Sequence, residues 1–99
     1  MNEAPRELNE LARIIYSEGR GKSWFNIAKH YVEPMLSMTD ATEDYYYDSG
    51  TSVVLYALNN LQYWRGDVAK QVKLEMKQHL KLAIWGSQQP KHAAQKNQQ

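Results

Sequence analysis

The chain reads as an all-α domain, a compact bundle of about four helices followed by a disordered C-terminal tail. Three observations predict this. Apolar residues recur at three- and four-residue steps along most of the chain, and the period-two alternation of a half-buried strand is almost absent. Glycines and one early proline fall where helices would start or stop. The composition, 42% hydrophobic and 23% charged over 99 residues, is that of a globular chain long enough for one hydrophobic core and too short for two lobes around a cleft. The domain is set at residues 1–86 and the tail at 87–99.

The first helix is expected from about Pro5 to Glu18. Proline suits the first helical turn, where its missing N–H costs nothing, and Leu8, Leu11, Ala12 and Ile15 share a face. Gly19 supplies the stop, and Gly19-Arg20-Gly21-Lys22 reads as a flexible connection. Ser23 is placed to cap a second helix in which Trp24, Ile27, Ala28, Tyr31 and Met35 recur. Pro34 pushes the residue before it out of the α region, so this helix should end or kink near Glu33, with Met35, Leu36 and Met38 in an extra turn.

Residues 39–50 carry four acids, no base and three consecutive tyrosines, and look like the longest ordered connection. A third helix is expected from about Ser49 or Thr51 to Trp64, with Val54, Ala57, Leu58 and Leu61 as its stripe and Gly66 as its stop. Asp67 then caps a fourth helix whose face is Val68, Val72, Met76, His79, Leu80 and Ala83, within about 120° of arc at 100° per residue. Gly86 closes it. Beyond, Gln, Lys and Ala with Pro90 and no large apolar residue cannot offset the entropy of ordering.

Several chemistries fail on spacing. Without cysteine there are no disulfides, thiolate metal sites or cysteine nucleophiles. Gly21-Lys22-Ser23 ends like a phosphate-binding loop, but Tyr16 stands where the leading glycine belongs and no strand precedes it. A calcium loop opening at Asp40 would put Tyr45 at the obligatory glycine and Thr51 at the bidentate glutamate, so a solvated acidic surface is the better reading. His30, His79 and His92 form no pair at helical ligand spacing, and His79 reads as a hydrogen-bonded core histidine. No serine sits in a Gly-x-Ser-x-Gly turn. The expectation is a protein that is not an enzyme and has neither metal nor cofactor.

The formal net charge of +1 hides an asymmetry: residues 1–50 hold nine acids and five bases, and residues 51–99 hold two acids and seven bases. Eleven aromatics in 99 residues exceed what a four-helix core of this size needs to bury. Such rings anchor protein interfaces, although tyrosines also cover cores with their hydroxyls in water. The leading expectation is therefore docking of another protein through an acidic and aromatic surface of Asp44, Tyr45, Tyr46, Tyr47, Asp48, Trp64 and Arg65. By analogy this suits a small accessory or inhibitory protein of the kind phages and plasmids encode.

The alternative is nucleic-acid binding through Lys70, Lys73, Lys77 and Lys81, a stripe spanning about 80° of the last helix, against which stand Asp67, Glu75 and a pI near 8.0. Leu74, Leu82 and Trp85 fall off the main apolar face of that helix and suggest a homodimer seam. No apolar run approaches the roughly 20 residues of a membrane span, and the first residues resemble no secretory signal, so a cytoplasmic location is expected.

Overall fold

The computed structural model describes residues 4–46 and 48–88, for residues 85–88 the backbone alone. It is mainly helical: α1 (Leu8–Gly19), α2 (Phe25–Val32), a 3-10 turn (Glu33–Ser37), a short hairpin of β1 (Asp44–Tyr45) and β2 (Asp48–Ser49), α3 (Gly50–Asn59) and α4 (Asp67–Gln88). Among the described residues no helix is long and apolar enough to cross a membrane.

Leu8, Leu11, Ala12 and Ile15 of α1 are buried as their spacing requires. The helix starts at Leu8 and not at Pro5, because Pro5 and Arg6 are held away from it. Glu7 is extended, its N–H donates to the Glu10 carboxylate at 2.9 Å, and the free N–H groups of Leu8 and Asn9 donate to the carbonyls of Thr39 and Met38. Arg6 instead belongs to a strap laid across α4. Its backbone N–H and its Nε donate to Glu75 Oε1 at 2.9 and 3.0 Å, and its Nη2 donates to Oε2 at 2.8 Å. Its carbonyl accepts from His79 Nε2 at 2.7 Å, and Gln71 donates to Glu75 from the turn before. Glu75 and His79, one helical turn apart, thus clamp a single residue of the strap.

Gly19 is the last residue of α1, where its role is space: a Cβ there would sit 2.6 Å from the Phe25 ring. The expected face of α2 is corrected. Ala28, Val32 and Met35 are buried, whereas Ile27 is 64% exposed and Tyr31 faces water. Two overlapping helical stripes run through this segment. Phe25 selects the other one by packing edge-on against Tyr16, ring centroids 4.8 Å apart. Ser23 does not cap the helix with its side chain. Helix α2 ends before Pro34 as expected, with Met35 buried in the 3-10 turn and Met38 after it, but Glu33 keeps α-helical angles (φ −49°, ψ −45°), so the proline tightens the helix into a 3-10 turn and does not push the residue before it into extended conformation.

The hairpin at 44–49 was not anticipated. Asp44 pairs with Ser49 and Tyr45 with Asp48, and Tyr46 stands in the tight turn that leaves β1. Such turns favour positive φ, and Tyr46 adopts φ 56°. Four residues are too few for a period-two pattern to register in the sequence. The hairpin delivers Ser49 to the N-cap of α3, where its side chain accepts from the Ser52 N–H. Gly50 packs against the carbonyls of Ala41 and Glu43, with no room for a Cβ.

Helix α3 stops at Asn59, five residues before the expected end at Trp64. The Asn60 side chain donates to the Tyr56 carbonyl at 2.8 Å, and the Asn60 N–H donates to the same carbonyl at 3.2 Å, so Asn60 closes the last turn from both its side chain and its backbone. The chain then turns twice and drops Leu61 and Trp64 into the core. Gly66, at φ 113°, therefore begins α4 and does not end α3; its carbonyl accepts the Lys70 N–H. On α4, Ala69, Val72, Met76, His79 and Ala83 are buried, while Val68 is exposed. The helix continues past Gly86 to Gln88, since an interior glycine costs only about 1 kcal/mol. The polar tail from residue 89 onward lies outside the described residues.

Candidate functional site

The residues expected to form a docking surface do not all share one environment. Asp44, Tyr46, Asp48 and Arg65 are exposed, and Tyr46 at 84% is the most open of the large rings. Tyr45 is half-buried against the core and meets the Tyr46 ring edge-on at 4.7 Å. Tyr47 lies outside the described residues. Trp64 is buried: its indole stacks on Trp24 with centroids 5.4 Å apart and planes at 23°. Trp64 is thus a core residue, and the expectation that it anchors a partner is corrected. Its neighbour Tyr63, 78% exposed, is the ring that faces solvent there.

Helix α3 connects these features. Val53, Val54 and Ala57 face inward. Ser52, Leu55, Tyr56 and Asn59 lie on the opposite side within about 100° of arc, with Leu55 and Tyr56 both exposed. The N-terminus of α3 is capped from the hairpin that carries Tyr46. Its C-terminus opens on a groove of about 360 Å³ lined by Ser23, Trp24, Ile27, Asn59, Asn60, Gln62 and Tyr63. Among the described residues no charged side chain lines that groove. The loop beneath it is held by the side chains of Asn60 and Gln62, the latter donating to the Asn59 carbonyl at 2.9 Å.

Reading the sequence missed Ile27 and the three amides. Their signal was the Asn59-Asn60 pair, which competes with helix through side-chain bonds to backbone and so marks the early end of α3.

The lysine stripe is interrupted. Lys70, Lys77 and Lys81 are exposed, but Lys73 is half-buried and its Nζ donates to the Trp64 carbonyl. Burial and, after it, the charges of Arg65 and Lys77 lower the Lys73 pKa. One of the four cations therefore serves the loop between α3 and α4. The residues proposed for a homodimer seam divide as well: Leu74 and Leu82 are exposed, and the Trp85 side chain lies outside the described residues.

Of the remaining candidates, His79 is 5% exposed and committed through Nε2 to the strap. Glu75 is 6% exposed; its hydrogen bonds from the Arg6 guanidinium, ahead of those from the Arg6 amide and Gln71, bring its pKa down to about 2. Asp40 is held below the ordinary carboxylate range by the hydroxyl and then the N–H of Thr42. Among the described residues no three His, Asp or Glu side chains gather as metal ligands. Comparison of the chain with protein-family models, with curated proteins and with solved structures finds no match in any of the three.

Proposed function

We propose that this chain is a non-enzymatic protein–protein interaction module that docks another protein along the outer side of α3. The observation that carries the reading is the run of exposed apolar side chains at both ends and along the middle of one short helix. Tyr46 stands on the hairpin before it, Leu55 and Tyr56 on its outer face, and Tyr63 and Ile27 around the groove after it. Large rings exposed on a small helical domain cost solubility and contribute nothing to its core, whereas such residues dominate binding energy when a partner desolvates them. Asp44 and Asp48, exposed on either side of the hairpin tip, would set the orientation of a basic or mixed partner surface.

Capture from lysate of the source cells tests this, run with and without nuclease. The baits are the unaltered chain, a Tyr46→Ala, Tyr56→Ala, Tyr63→Ala variant and a Lys70→Gln, Lys77→Gln, Lys81→Gln variant. A stoichiometric protein that survives nuclease, is lost with the tyrosines and is retained with the lysine variant is the expected result. Recovery only without nuclease, abolished by the lysine variant and by raised salt, would replace the reading with nucleic-acid binding.

A further inference from the structure

A second site lies away from α3. The strap from Ala4 to Glu7, the turn at 39–42 and the C-terminal half of α4 line a half-open cavity of about 270 Å³. Pro5, Ala41, Leu82 and Ala83 make it largely apolar, and Leu82 stands half out of the protein at its lip. The polar side chains on its wall include His79, Glu7 and Asp40, and among the described residues no lysine or arginine lines it.

His79 makes this more than a surface dent. The Arg6 carbonyl can only accept, so Nε2 of His79 carries a hydrogen, and in the tautomer with that single hydrogen Nδ1 is an acceptor. Nδ1 has no hydrogen-bond partner among the described residues, although the side chain is more than nine-tenths buried. A buried acceptor without a donor is costly, and a ligand that brings a donor recovers that cost. Asp40 adds a carboxylate whose Oδ1 is bound by Thr42 and which lies within electrostatic reach of His79. Acceptors and negative charge on an apolar wall select one chemistry.

We propose that this cavity binds an amphipathic cation, an aliphatic stem ending in an ammonium or guanidinium group, either as a free amine or as the lysine or arginine side chain of a peptide. The stem packs on Pro5, Ala41 and Leu82, and the N–H donors turn toward Asp40 and His79 Nδ1. At about 270 Å³ the cavity falls just below the size of drug-like pockets, roughly 300 to 1,000 Å³, which suits one side chain or one small amine.

The test is a titration of the full chain followed by NMR, reading the Leu82, Ala83 and Ala41 methyl groups and the imidazole nitrogens of His79. The probes are n-hexylammonium, Nα-acetyl-arginine amide and, as the charge control, hexanoate. Saturable shifts confined to these groups with either cation, and none with hexanoate, are expected; the tighter of the two cations identifies the head group, and Nα-acetyl-lysine amide run beside n-hexylammonium separates a peptide side chain from a free amine. Asp40→Asn keeps the Oδ1 acceptor for Thr42 and should weaken binding by at least about tenfold. Leu82→Lys, at an exposed position the fold tolerates, places a competing cation at the lip and should abolish the shifts while leaving the thermal melt unchanged. Equal binding of hexanoate, or shifts that persist unchanged in both variants, or no saturable shift with either cation, would overturn the proposal.

Discussion

The strap on α4 and the outer side of α3 are built on opposite terms. At the strap, polar groups are buried and nearly all satisfied: one residue, Arg6, gives three hydrogen bonds to Glu75 and accepts one from His79. Along α3 and its flanks, apolar groups are exposed, Tyr46, Tyr56 and Tyr63 foremost. The first arrangement holds the strap against α4; the second leaves apolar surface in water. Residues that hold the fold and residues available for recognition are therefore separable by substitution, even where they are neighbours in the chain.

The sharpest break of that comparison is at adjacent positions. Trp64→Ala removes a buried ring stacked on Trp24 and should cost about 3–5 kcal/mol, whereas Tyr63→Ala, one residue earlier, should change stability by less than about 0.5 kcal/mol. Chemical denaturation of both variants checks it. Similar losses at the two positions would show that Tyr63 is structural and remove it from the docking surface.

Acid should open the strap while leaving α3 alone. The Glu75 pKa is depressed in the folded chain, from 4.5 to about 2, so its contribution is fully present above pH 4.5 and is lost as the pH falls toward 2. That contribution is about 2–3 kcal/mol, with Glu75 itself buried and the Arg6 side chain nearly half in water. Glu75→Gln should flatten the pH dependence of the melting temperature between those limits and lower stability at neutral pH by a similar amount. An unchanged slope would mean that other carboxylates carry the acid sensitivity. Gly50→Ala should cost somewhat less, about 1–3 kcal/mol, because the added methyl meets the carbonyls of Ala41 and Glu43 and forces the base of the hairpin apart.

The helical periods made most of the fold legible and little of the candidate site. Leu8, Leu11, Ala12 and Ile15, or Val72, Met76, His79 and Ala83, recur on one face, and each set is buried. Along α2 two stripes overlap, and only tertiary packing of Phe25 on Tyr16 and Gly19 decides between them. That choice turns Ile27 outward into the groove. Trp64 was misplaced for a related reason: read as a helix end it belongs to the surface, but the early stop at Asn60 swings it inward beneath Tyr63. Glu75 shows the converse. An acid beside an apolar face reads as a solvated charge until its partner is known, and Arg6 lies 69 residues away in the chain.

The smallest expected effect on stability separates the two roles most cleanly. Tyr46 sits at φ 56°, in the left-handed region that costs a residue with a Cβ roughly 1 kcal/mol and that asparagine or glycine enters more easily. Its ring is 84% exposed and touches Tyr45 by an edge. A tyrosine chosen for the fold alone would be a poor choice at this turn. Tyr46→Asn should therefore leave stability unchanged or raise it by up to about 1 kcal/mol, as measured by denaturation, while weakening capture of the protein partner. Relief of strain together with loss of binding would mean that the turn holds its tyrosine for a contact outside the chain. A variant that is less stable by more than about 1 kcal/mol would instead make the Tyr45–Tyr46 pair part of the fold and shorten the docking face to α3 and its groove.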